Sequence, residues 1–152
     1  MNSLLTKIGQ TNPAAIPLLI LRIAFVIVMF PHGAQLLVGW FGGYGYAASM
    51  GYFSSIGIPS VISFLIIFLE FFGSIFILLG LFTRLFALAL TGLVTGMILM
   101  VHIHAGFFMN WFGNLKGEGF EYHILMLSML LSLLIAGGGK ASLDALLFNK
   151  KV

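Results

Sequence analysis

The stretch PSVISFLIIFLEFFGSIFILLG, residues 59–80, decides the fold. It is long enough for about six helical turns, and its single ionisable residue, Glu70, stands at its centre. A surface helix of a soluble protein turns one polar face to water, whereas this one is apolar all round and near the ~20 residues that cross the hydrocarbon core of a bilayer. Residues 17–38, 85–105 and 120–136 have the same character. The chain therefore reads as all-α: an integral membrane bundle of four transmembrane helices, in a single domain over residues 1–152.

Composition agrees with this reading. Of 152 residues, 61% are hydrophobic and 7% charged, against roughly 25% charged in an ordinary soluble domain. Mean hydropathy is +1.14. A domain of this length cannot hide so much apolar surface in its own core, so the lipid bilayer is its expected partner. The seven basic residues are scattered, which excludes a nucleic-acid surface. The absence of cysteine excludes disulfides, thiol relays, iron–sulfur clusters and thiolate zinc sites within the chain.

The basic residues also predict orientation. Lys7, Arg22, Arg84, Lys140, Lys150 and Lys151 fall on one side of the four spans and Lys116 on the other, which places both termini in the cytoplasm. Residues 17–38 are longer than a signal-peptide core and hold Arg22, so they are expected to remain as a span. Residues 80–84 then form a tight inner turn, with Gly80 closing one helix and Thr83 capping the next. Three short interfacial helices are expected as surface anchors, carried by Leu4, Leu5 and Ile8, by Tyr46, Met50 and Phe53, and by Leu143, Leu146 and Leu147. Gly92 and Gly96 form a GxxxG pattern, which predicts close helix packing. Gly42-Gly43-Tyr44-Gly45 follows a helix and lacks a Walker lysine, so it reads as a turn and not a phosphate loop.

Ionisable groups inside a span need a partner, a cavity or a task. At ~100° per residue, Glu70 shares a face with Ser63 and Ser74, His102 with Thr91 and Thr95, and Glu121 with Ser128 and Ser132. Arg22, Met29 and Gly33 share a stripe on the first span, with His32 on its flank. His104 and His123 sit ~200° from His102 and Glu121 and are expected to point elsewhere. Depth places Arg22 within reach of Glu70 as an ion pair, which either sets helix register or serves function. His32, His102 and Glu121 are expected to line an outward-facing cavity beneath Trp40-Phe41 and residues 107–111. Pro31 frees the carbonyl of Ile27 and kinks the first span beside His32. No two histidines have the i, i+4 spacing of a helical metal site, so no metal is expected, nor is haem or flavin. A neutral quinone headgroup suits the set best. Glu70 and Glu121 would relay protons, His32 and His102 would hydrogen-bond the headgroup, and Trp40 and Phe41 would wall it.

Arg22, His32-Gly33-Ala34-Gln35, Gly39-Trp40-Phe41-Gly42-Gly43, Glu70-Phe71-Phe72-Gly73, Leu79-Gly80-Leu81-Phe82-Thr83-Arg84, His102, Glu121-Tyr122 and Leu143-Asp144-Ala145-Leu146, read in order, closely resemble the DoxX family. The resemblance implies four membrane helices in a bacterial inner-membrane protein. A related protein, DoxD, is a subunit of a thiosulfate:quinone oxidoreductase, and some mycobacterial members are linked to an oxidative-stress membrane complex. Leu36 stands where members often carry lysine, and His123 where asparagine often follows the Glu-Tyr pair. Two functions are open at this point. One is a membrane subunit of a quinone-linked oxidoreductase whose electrons come from a protein partner. The other is a non-enzymatic proton or solute pathway, or a scaffold; assembly with further copies of the chain is compatible with either.

Overall fold

The computed structural model describes residues 6, 7 and 9–149, and among these every regular element is helical. Helix α1 (Ile16–Val38) is opened by Pro17 and contains Pro31. Helix α2 (Gly45–Ser55) lies in the following connection. Helix α3 (Ser60–Leu79) is interrupted by one wide π turn, Leu69–Gly73. Helices α4 (Thr83–Met100), α5 (Glu121–Ala136) and the short α6 (Leu143–Phe148) complete the chain. α1, α3 and α4 are long and apolar enough to cross a membrane, and the apolar α5 is shorter.

The core forms where α1, α3, α4 and α5 meet. Phe25, Ile77, Leu90, Val94, Leu130 and Leu133 are wholly buried there. Large apolar side chains on the opposite faces, among them Ile27, Val61, Leu85 and Ile135, are more than half exposed. Lipid accepts that inversion where water would not.

The third expected span ends early. α4 stops at Met100, and residues His102–Ala105 form a separate 3₁₀ turn, which brings the His102 ring to the carbonyl of Glu118. Gly80 closes α3 as expected, with φ +62°. Thr83 does not cap α4 through its side chain. The Asp144 carboxylate does so from α6, accepting from the backbone N–H of Phe82 and of Thr83 at 2.7 and 2.9 Å.

Arg22 and Glu70 do not pair. Gly33 packs directly on the backbone of Glu70 and Phe71. That contact sets Glu70 about three turns, ~16 Å, beyond Arg22 along α1, farther than an arginine reaches. Arg22 lies level with Gly80 instead, and its Nη2 donates to the carbonyls of Lys140 and Ala141, each at 3.0 Å.

Two further expectations change. Gly92 and Gly96 face open space, so among the described residues the GxxxG pattern packs against nothing. Leu146 and Leu147 are exposed on α6 as an anchor requires, but α2 does more than lie on a surface, since Ser49 is buried and Phe53 turns into a cavity. Leu4, Leu5, Ile8, Lys150 and Lys151 lie outside the described residues.

Candidate functional site

The site begins at the π turn. One extra residue per turn widens α3 at Leu69–Gly73, where the close approach of Gly33 brings α1 against it. Glu70 is 4% exposed and, among the described residues, its carboxyl makes no hydrogen bond. Ser63 and Ser74 are buried on the same side, as the sequence predicts, but each returns its hydroxyl proton to its own helix, at the carbonyls of Pro59 and Phe71. Neither is available to Glu70.

Glu70 faces a cavity of about 430 Å³ that opens toward the loops following α1 and α4. His32 and His102 line it too, so three of the expected residues are brought together. His32 is exposed at the mouth. The Nδ1 of His102 lies 2.8 Å from the carbonyl oxygen of Glu118, which can only accept, so Nδ1 carries the proton and Nε2 is left for a ligand.

Glu121 is not in the cavity. Its Oε1 accepts from the backbone N–H of Met109 at 3.0 Å and from Trp111 Nε1 at 3.3 Å, so the carboxylate organises the loop above α5. Glu118 and Asn110 tie the same loop from within. The proton-relay role expected of Glu121 therefore gives way to a structural one. Glu121→Ala is expected to raise amide exchange across residues 107–118 by tenfold or more, about the cost of one charge-assisted bond, while leaving exchange in α1 and α3 unchanged. Equal exchange in variant and parent would show that the loop does not depend on Glu121.

Trp40 and Phe41 also miss the cavity, being 56% and 64% exposed. Gln35 Nε2 bonds the Phe41 carbonyl and fixes the turn that directs both rings outward. The apolar wall is built from Met29, Met97, Met126 and Phe53 instead.

The residue missed by sequence reasoning is His123. It is 7% exposed, lines the cavity, and packs against His102 with ring centroids 4.0 Å apart and the rings tilted by 39°. Its Nδ1 is buried without a partner, as is the hydroxyl of Tyr122 beside it. The inner face of α5 is His123, Met126, Leu130 and Leu133, which has helical spacing and could have been found from its apolar members. Ser128 and Ser132, taken as interior, are exposed and bond back to the carbonyls of Ile124 and Ser128. Thr91 and Thr95 do the same on α4. Such back-bonding satisfies a hydroxyl facing lipid, so these residues did not mark the inside.

Among the described residues, no three histidine, aspartate or glutamate side chains converge as a metal-binding group. A second cavity of about 610 Å³ lies between α1 and α2, sharing Gln35 and Leu36 with the first.

The family model for DoxX matches residues 17–103, more than half of the chain. The chain belongs to the DoxX family. Within the match lie α1, the π turn of α3 and α4, and therefore His32, Glu70 and His102; His123 lies beyond it. Among DoxX-type relatives, CatD of Bacillus subtilis strain 168, provisionally named an oxidoreductase, is 30% identical over 88% of this chain and 88% of its own. The inner membrane protein YqjF of Escherichia coli K12 is 32% identical over 76% of this chain and 84% of its own. No solved structure matches the chain.

Proposed function

We propose that this DoxX protein is a four-span inner-membrane subunit of an oxidoreductase, and that its cavity holds a quinone-class headgroup. The observation that carries the reading is a buried carboxyl without a protein partner, Glu70, facing the same apolar-walled space as the free nitrogens of His102 and His123. A protonated Glu70 donates to a carbonyl oxygen, and the free His102 Nε2 accepts from a hydroxyl. The set thus suits both the oxidised and the reduced headgroup, with the protons held by this chain and the electrons supplied by a protein partner. CatD's name points the same way.

α5 serves as the fourth span in this reading. Its sixteen residues rise ~24 Å, a little short of the ~30 Å core, and Leu125 and Ile135 present an apolar outer face to lipid. Arg22, Arg84 and Lys140 gather at the bundle end away from the cavity, so the positive-inside rule puts that end, and both termini, in the cytoplasm. A proton or solute pathway is the weaker alternative, because Phe25, Ile77, Leu90, Leu130 and Leu133 close the bundle between the cavity and that end.

The test is binding of a short-tailed ubiquinone analogue to the purified protein in nanodiscs, with mass spectrometry of the lipids that copurify. Glu70→Leu and His123→Ala are each expected to weaken binding by roughly tenfold, since leaving a buried polar group without its hydrogen-bond partner costs about 1–3 kcal/mol. A parent protein that neither retains a quinone nor binds the analogue sinks the proposal.

A further inference from the structure

Half of the chain's eight methionines, Met29, Met97, Met109 and Met126, line the cavity, together with three of its four histidines. They are arranged in order. α1 carries Met29 and His32, α4 and its 3₁₀ turn carry Met97 and His102, and α5 carries His123 and Met126. α5 runs antiparallel to α1 and α4, so in each of the three the methionine lies deeper than the histidine, by ~4.5 Å of rise on α1 and on α5. Three helices thus give a layer of thioethers beneath a layer of imidazoles, with Met109 added from the loop above. Met29 and Met126 also pack into the hydrophobic core, with Met129 against it, whereas Met97 and Met109 belong to the cavity wall and Met50 and Met100 to neither.

We propose that these two layers bind a soft monovalent cation, Cu(I). Thioether sulfur selects Cu(I) over the harder divalent ions, and imidazole ligates it readily. In a chain without cysteine, methionine is the soft ligand available. His123 supplies the second, independent indication of a ligand: it is more than nine-tenths buried, and its Nδ1 has a free coordination site and no protein partner. Met29 and Met126, each 3% exposed, are the principal sulfur ligands.

The experiment titrates the purified protein with Ag(I), a redox-inert stand-in, and anaerobically with Cu(I) against a chromophoric chelator. X-ray absorption reads the neighbours of the bound ion. Quinone is absent throughout, so the result stands apart from the headgroup reading. The parent protein is expected to bind one ion with sulfur in its shell and to show no competition by Zn(II). The double substitution Met29→Leu and Met126→Leu keeps side-chain volume, so the protein should elute and melt like its parent. It is expected to weaken Ag(I) binding by at least about tenfold, the effect that loss of even an outer partner has at metal sites. Met100→Leu, at an exposed methionine, is expected to change nothing. The proposal is overturned if the parent retains no Ag(I), if the bound ion has no sulfur neighbour, or if the double variant binds as tightly as the parent.

Discussion

Gly33→Ala is expected to cost the protein its native helix packing. A Cβ built at Gly33 meets the backbone of Glu70 and Phe71, including the Glu70 carbonyl oxygen at 2.7 Å. These atoms cannot rotate aside as a flexible side chain can, so α1 and α3 must part along the contact that holds the π turn. Overpacking of a well-filled interior costs about 1–3 kcal/mol when side chains can adjust, and a clash with backbone lies at or beyond the upper end. The thermal midpoint in detergent should fall by several degrees, and the surviving folded fraction should bind ligand weakly, because the same contact positions Glu70. Gly92→Ala and Gly96→Ala are the controls. Each exchanges glycine for the better helix former at a site with no heavy atom within 4 Å, and each is expected to be neutral or slightly stabilising. A Gly33→Ala protein that melts with the Gly92→Ala protein would show that the close approach is not needed.

This contrast also shows what could be read from the sequence. Uniformly apolar stretches located α1, α3 and α4 closely, because in lipid a spanning helix is defined by length and hydropathy more than by periodicity. Which face turned inward was harder to read. Glycines spaced for packing at 92 and 96 face outward, while the glycine that packs, Gly33, has no small partner four residues away. Serine and threonine misled for a similar reason, since their hydroxyls are satisfied within the helix, whereas the buried rings of α5 carry no such marker. The cavity was therefore read from His32, His102 and Glu121, of which Glu121 lies outside it, and the reading missed that Glu70 and His123 face it. The π turn was not legible either, because one extra residue in a helical turn leaves no mark in a uniformly apolar stretch. Nor was the environment of Arg22, which depends on a fold-back of residues 137–149 more than a hundred positions away.

That fold-back carries the second large effect. Asp144 is 2% exposed; its two carboxylate oxygens accept from the first N–H groups of α4, and its own N–H donates to the Gly80 carbonyl at 2.8 Å. Its charge also complements the positive end of the α4 dipole and the wholly buried Arg22, which carries no carboxylate of its own within bonding reach. Asp144→Ala removes both acceptors at once and leaves Arg22 without a counter-charge. Losing one partner of a buried charged network costs about 3–5 kcal/mol, so this variant should be among the least stable single substitutions in the chain. Asp144→Asn should be nearly as damaging, since its amide can accept one of the two bonds but sets N–H against N–H at the other. Replacing Arg22 by methionine in the Asp144→Ala background removes the orphaned charge. The double variant should then lose less stability than the two single losses together, a coupling read directly from thermal midpoints in a double-mutant cycle. Strict additivity would mean that Asp144 acts only as a helix cap. An Asp144→Ala protein as stable as its parent would mean that the C-terminal fold-back does not hold the end of the bundle at Gly80 and Arg22.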